Sequence, residues 1–298
     1  MVLWGADRLT EGASALARRM RVPEIVIGLT IVAAGTSAPE LFVSLVSALK
    51  DTPDMAVGNV VGSNIFNTLL IVGCAAMVAP MVITPSTVRK DMPFAVGASM
   101  LLLAIILVGN DVSRSDGLVL LAFFAVFMVY TFRVAMQKDD GVETSAVAPV
   151  NVWKSLLYVV AGLGALIIGS NLFVDSASDV ARQLDISEGV IGLTIVAGGT
   201  SLPELATSVV AARKGRSAIA IGNVIGSNVF NVLLILGLTA TVSPMAVQGI
   251  TVVDLSVMLG GILMVWAFSY TKYTVARWEG AVLTLTFLAY MGWLLYNL

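Results

Sequence analysis

The 298-residue sequence has no histidine and one cysteine, and only 12% of its residues are charged. Lacking histidine, the chain has no side chain that ordinarily titrates near neutral pH, and it lacks the commonest general base and transition-metal ligand. The lone Cys74 excludes a disulfide framework and a cysteine-based metal site, and its apolar surroundings make it a packing residue. Any metal bound here must be held by oxygen, which selects hard cations. The charge content is about half of the roughly 25% found in soluble domains. A net charge of −2 with no basic tail gives nucleic acid nothing to bind.

What is present is apolar: 58% of the residues are hydrophobic. Runs suited to a bilayer, which takes roughly 20 residues to cross, recur at 94–108, 118–132, 156–168, 257–268 and 281–295, with small neighbours completing the shorter ones. Lipid is therefore the expected solvent. An all-α integral membrane protein follows, because every backbone polar group must find its partner internally.

The strongest pattern is an internal repeat. Residues 28–73 align with 192–237 at a constant offset of 164, without a gap and with 29 of 46 positions identical. Self-similarity of this kind has to be read before any single element. It divides the chain into a first unit, 1–135, a short polar linker, 136–151, and a second unit, 152–298. Hydrophobic segments are predicted at 1–18, 24–49, 55–79, 88–109 and 116–135, then at 152–181, 188–212, 218–243, 250–270 and 275–296. Five spans per unit is an odd number, so the second unit must enter the membrane upside down. The charges agree. Alternate loops, beginning with the first, carry 13 of the 17 basic residues; the other loops carry only Lys50, Arg114 and Arg182, and Arg8 lies within the first segment. Basic residues gather in cytoplasmic loops. The expectation is ten helices in two inverted repeats, with both termini outside, the linker in the cytoplasm and the chain in the cell (inner) membrane.

Two motifs occur in both copies. In the first, Gly35-Thr36-Ser37-Ala38-Pro39-Glu40 matches Gly199-Thr200-Ser201-Leu202-Pro203-Glu204. Glu40 lies 16 residues after Glu24 and 10 before Lys50, about 24 and 15 Å of helix, so it is deep in the membrane. One reading is local: Ser37-x-x-Glu40 has capping-box spacing, and Pro39 suits a first helical turn. The other is functional. A helix broken at membrane depth must be buried in protein or line a cavity. A carboxylate there costs several kcal/mol unless it is compensated. The functional reading makes Glu40 and Glu204 a cation or proton site.

The second motif, Gly58-Asn59-Val60-Val61-Gly62-Ser63-Asn64-Ile65-Phe66-Asn67, matches 222–231. Ser63 and Asn67 share a helix face, as do Ser227 and Asn231. The glycines at 58 and 62 read as a close-packing seam, and Asn67 and Asn231 as site-lining residues. Carbonyls freed at the helix breaks, such as those of Ala33, Thr36, Ala197 and Thr200, would bring the oxygens to the 6–8 that Ca²⁺ takes. Two carboxylates balance one Ca²⁺, two Na⁺ or two protons.

These motifs resemble the α-repeats of the Na⁺/Ca²⁺ exchanger family, within the cation/Ca²⁺ antiporter superfamily, in its prokaryotic form without a regulatory domain. The match covers nearly the whole chain and both copies. The resemblance implies antiport of Ca²⁺ against Na⁺ with no cofactor and no enzymatic activity, the partners being the ions and the lipid bilayer. It makes Glu40 and Glu204 shared ligands of both ions and Thr36 and Thr200 Ca²⁺ ligands. Ser37, Ser63, Asn67, Ser201 and Ser227 would line Na⁺ positions, with the carbonyls of Ala33 and Ala197. Some family members carry Asp where this chain has Asn231, which leaves one fewer ionisable group. Ca²⁺/H⁺ exchange is the nearest alternative. A channel and a membrane-embedded carboxylate enzyme are remoter ones, the latter lacking a nucleophile–base pair or a DxxD-type cluster.

The first segment departs from the repeat. Only Met1-Val2-Leu3-Trp4 precede Gly5, whereas its counterpart Gly169 follows the apolar run 156–168. Asp7, Arg8 and Glu11 also interrupt the segment, so it is expected to make a poor span alone and to lack its beginning.

Overall fold

The computed structural model describes residues 2–136, 152–184, 186 and 191–297. All of the expected linker except Met136, including Lys138, lies outside the described residues, as does part of the segment expected at 188–212. In chain order the helices are α1 (Val2–Met20), α2 (Glu24–Thr36), α3 (Ala38–Leu49), α4 (Pro53–Val78), α5 (Thr87–Gly109) and α6 (Arg114–Met136). The second unit supplies α7 (Val152–Gln183), α8 (Leu193–Thr200), α9 (Leu202–Arg213), α10 (Ser217–Val242), α11 (Val252–Tyr270) and α12 (Arg277–Tyr296). Where both are described, these bounds lie within a few residues of the hydrophobic segments.

Among the described residues, seven stretches are continuous apolar spans. The α2/α3 and α8/α9 pairs, bent by 44° and 49°, are each long and apolar enough to make one broken span, which gives up to nine, and α1 lies outside these. Its charges do not face lipid unpaired: Arg8 bridges Asp7 and Glu11, and Lys214 of the second unit reaches both, at 2.5 and 3.5 Å. It also packs tightly on α7. A Cβ added at Gly5 would fall 2.7 Å from the carbonyl oxygen of Gly162, and one at Gly12 would fall 2.6 Å from that of Ser155. The helix expected to be inadequate alone is held by its neighbours.

Four short strands establish the inversion. β1 (Met81–Val82) and β3 (Met245–Ala246) are equivalent under the 164-residue offset, and β2 (Asp111–Val112) corresponds to β4 (Thr274–Val275). The pairs that form are not equivalent ones: β1 lies antiparallel to β4, with Met81 opposite Val275, and β2 to β3, with Val112 opposite Met245. One span, α5, separates β1 from β2, so they lie at opposite ends of the bundle. β3 pairs with β2, so it lies at the opposite end from its own equivalent, β1. Copies with the same orientation would place β1 and β3 together.

The centre belongs to α4 and α10, whose most apolar stretches are 78% and 94% buried, against 22–39% for the other continuous spans. α6 and α12 present Phe123, Val129, Leu285 and Leu288 outward, which suits a lipid-facing ring. The centre is close-packed because Gly62 and Gly226 allow backbone to meet backbone. A Cβ at Gly62 would lie 2.7 Å from both the Ala197 Cβ and the Leu193 carbonyl oxygen; one at Gly226 would lie 2.7 Å from the Ala33 Cβ and 2.8 Å from the Leu29 carbonyl. The expected glycine seam is thus a reciprocal contact between α4 and α8 and between α10 and α2. Gly62→Ala and Gly226→Ala are each expected to destabilise the fold by about 1–3 kcal/mol, the usual penalty of overpacking. A lowered melting temperature of the detergent-purified variants would register it, whereas Gly164→Ala, where the space is open, should leave it unchanged.

Candidate cation site

The site begins with two prolines. Pro39 and Pro203 occupy the first turns of α3 and α9, where a missing N–H is harmless, and each directly follows a break. Ser37 and Ser201 occupy the N-cap positions, as their spacing predicts. Neither side chain caps its helix. Ser37 instead donates to Glu204 Oε1 at 3.0 Å, and Ser201 to Glu40 Oε1 at 3.3 Å. The capping-box reading is therefore right about the backbone and wrong about the side chains. Each serine leaves its own helix to hydrogen-bond the carboxylate of the other copy.

A second set of cross-copy bonds fixes the breaks. Thr36 donates to Asn223 Oδ1 at 3.0 Å and Thr200 to Asn59 Oδ1 at 3.1 Å. The amide of Asn59 donates back to the Glu40 carbonyl and to Ser44; that of Asn223 donates to the Glu204 carbonyl and to Ser208. Asn59 and Asn223 thus link the broken helix of their own copy to that of the other. A third set joins α4 to α10: Asn67 donates to Asn228 Oδ1 at 3.0 Å and Asn231 to Asn64 Oδ1 at 3.2 Å. Asn67 and Asn231 sit in widened π-helical turns, Phe66–Ile71 and Phe230–Ile235. The breaks follow two more, Gly28–Val32 and Gly192–Val196. Such turns are frequent at functional sites.

All twelve candidate residues are at most 2% exposed. Among the described residues, five buried side-chain oxygens at these positions have no hydrogen-bond partner: Glu40 Oε2, Glu204 Oε2, Ser63 Oγ, Asn67 Oδ1 and Asn231 Oδ1. Leaving one buried polar group unpaired costs about 1–3 kcal/mol, and more for a charged group. Carboxylate, hydroxyl and amide oxygens are the kinds that hard cations take as ligands. Ser227 differs from its counterpart Ser63 by donating to Glu204 Oε1 at 3.2 Å. The Thr36 and Thr200 hydroxyls are used as donors. The carbonyls of Ala33 and Ala197 accept the backbone N–H of Ser37 and Ser201, at 2.9 and 3.0 Å. They are not stripped of backbone partners, as expected of carbonyls at a break, and could offer a cation only a second lone pair.

Sequence reasoning left Asn59, Asn64, Asn223 and Asn228, with Ser44 and Ser208, without roles. The signal was available: all six stand at identical positions of the two copies, buried in apolar helices where an amide or hydroxyl needs a partner. Among the described residues no group of three or more His, Cys, Asp or Glu could hold a metal.

The fold and the candidate site together define a multi-pass membrane protein of inverted repeats with unpartnered buried oxygens in both copies. The family model described as sodium/calcium exchanger protein matches residues 1–133 and 154–296, and the chain belongs to that family. Inner membrane protein YrbG of Escherichia coli is 38% identical over 87% of this chain and 82% of its own length. Sodium/calcium exchanger MaX1 of Methanosarcina acetivorans is 35% identical over 98% and 95%. A solved structure of the sodium-calcium exchanger NCX_Mj, soaked with 2.5 mM Na⁺ and 0.1 mM Ca²⁺, superposes with a TM-score of 0.83 at 30% identity, covering 98% of this chain and 94% of that one. The protein is thus an antiporter of this family with transported ions as its substrates; its relatives are ion exchangers and not enzymes.

Because Ser37 and Ser201 donate to buried carboxylates of the other copy, Ser37→Ala and Ser201→Ala are expected to weaken apparent Ca²⁺ affinity and to lower the melting temperature of the Ca²⁺-free protein, by about 1–3 kcal/mol of stability, with part of that loss restored by Ca²⁺. Loss of a true cap would instead cost about 1 kcal/mol whether or not Ca²⁺ is present. Ca²⁺ titration alongside thermal unfolding separates the two effects.

Proposed function

We propose that the protein exchanges Ca²⁺ for Na⁺ across the cell membrane by alternating access, with both ions using one site between the two inverted copies. The observation that carries this reading is the set of five unpartnered buried oxygens, contributed by both copies and including one oxygen of each carboxylate. Glu40 and Glu204 are the shared ligands of both ions. Ser63, Asn67 and Asn231 complete the shell with neutral oxygen, and Ser37, Ser201 and Ser227 orient the carboxylates. Thr36, Thr200 and the carbonyls of Ala33 and Ala197 line the breaks and add oxygen as the helices shift. Two carboxylates balance one divalent ion or two monovalent ones, so the same cage accepts either load without a buried net charge, whose cost would be high. The basic loops put both termini outside and the linker in the cytoplasm.

Proteoliposomes loaded with Na⁺ and diluted into ⁴⁵Ca²⁺ without Na⁺ are expected to accumulate Ca²⁺. An imposed pH gradient alone should drive little. Uptake that follows the pH gradient and ignores Na⁺ would replace this reading with Ca²⁺/H⁺ exchange. Glu40→Gln and Glu204→Gln each remove half the charge that compensates a divalent ion, and each is expected to reduce Ca²⁺ uptake to background in protein that still elutes as a folded species. Near-normal uptake by the double variant would sink the assignment. Asn231→Asp adds an ionisable oxygen; it is expected to change the competition between Ca²⁺ and Na⁺ and make it pH-dependent. Unchanged ion dependence across pH would remove Asn231 from the site.

A further inference from the structure

Asn67 and Asn231 can each turn either of two ends towards a cation. One end of an amide is a carbonyl oxygen, which a hard cation takes as a ligand; the other is an NH₂, whose hydrogens repel it. Packing cannot choose between the ends, because they are almost the same size and the torsion that exchanges them is soft. Hydrogen bonding has to decide.

In both copies the deciding group is an asparagine of the other copy. Asn67 Nδ2 donates to Asn228 Oδ1 at 3.0 Å, and Asn231 Nδ2 donates to Asn64 Oδ1 at 3.2 Å. With each NH₂ held in this way, the Oδ1 atoms of Asn67 and Asn231 are left buried and unpartnered. Asn64 is oriented in its turn: its own Nδ2 donates to the Asn228 carbonyl at 3.5 Å and lies 3.9 Å from Met258 Sδ of α11, which leaves its Oδ1 for Asn231. Asn64 and Asn228 occupy equivalent places, each three residues before the candidate ligand of its own copy. All four amides are at most 5% exposed, so bulk water offers no competing acceptor.

We infer, on the proposed reading of Asn67 and Asn231 as ligands, that Asn64 and Asn228 are positioning residues that set the chemical character of the cation site. Each takes the NH₂ of a ligand in the opposite copy, so that the amide offers oxygen and not N–H to the ion. Ca²⁺ titration of the detergent-purified full chain tests this, because binding does not depend on which ion drives transport. Asn64→Leu keeps the bulk and removes the acceptor; it is expected to raise the Ca²⁺ Kd about tenfold. Added to Asn231→Asp, the same substitution should raise Kd less than about twofold, because a carboxylate has oxygen at both ends and needs no partner to orient it. If Asn64 only packs α4 against α10, Kd rises by the same factor in both backgrounds, and that result would overturn the assignment, as would a Kd that Asn64→Leu leaves unchanged. Asn231→Leu, titrated alongside, tests the ligand itself. An unchanged Kd there removes Asn231 from the site and the role of Asn64 with it. A raised Kd there, with equal shifts from Asn64→Leu in the two backgrounds, keeps the ligand and strikes only its positioning by Asn64. If Asn64→Leu does not elute as folded protein, Asn228→Leu with and without Asn67→Asp is read in the same way.

Discussion

Everything in the centre of this protein depends on reciprocal hydrogen bonding between the copies. Each broken helix is completed by the other copy: Ser37 by Glu204, Ser201 by Glu40, Thr36 by Asn223 and Thr200 by Asn59. A break in a membrane helix exposes backbone groups that lipid cannot satisfy, so neither copy could keep its break alone. The inverted arrangement solves this by symmetry, since whatever one copy lacks at its break the other presents from the opposite direction. The candidate site is a consequence: some oxygens of both copies are left buried and unpartnered after these mutual bonds are made.

That dependence explains the use of small residues and amides around the site. Asn59 and Asn223 must reach two helices at once, which requires close backbones, and Gly62 and Gly226 supply the approach. Amides suit the work because each offers donors and an acceptor from one rigid group. Asn59 spends both, accepting from Thr200 while donating to Ser44 and the Glu40 carbonyl. Asn67 and Asn231 spend only their donors, and their acceptors are left without a partner. One residue type therefore serves as a brace at one position and a candidate ligand at another, according to which of its atoms the fold has already used.

The periphery follows a looser rule. α6 and α12 are mostly apolar; each turns aliphatic and aromatic side chains outward and buries others, such as Phe127 and Tyr290. α1 is the exception. It carries charges that lipid would not accept, and its place depends on the Asp7–Arg8–Glu11–Lys214 cluster and on backbone contact with α7.

Much of this was legible in the sequence. The 164-residue offset, the odd number of spans and the distribution of lysine and arginine define two inverted units, because insertion into lipid obeys composition and charge locally. Glu40 and Glu204 declare themselves by depth alone, since a carboxylate far from any loop needs a reason to be there. What the sequence could not assign is where each polar group spends its hydrogen bonds. The Ser37-x-x-Glu40 spacing is equally compatible with a cap, and only the placement of Glu204 beside Ser37 decides otherwise. Asn59 and Asn67 look alike as buried amides eight residues apart, yet one is a brace and the other a candidate ligand. These roles belong to contacts between residues more than 140 positions apart in the chain, which spacing along one helix does not encode and which exist only once the two copies are interlocked.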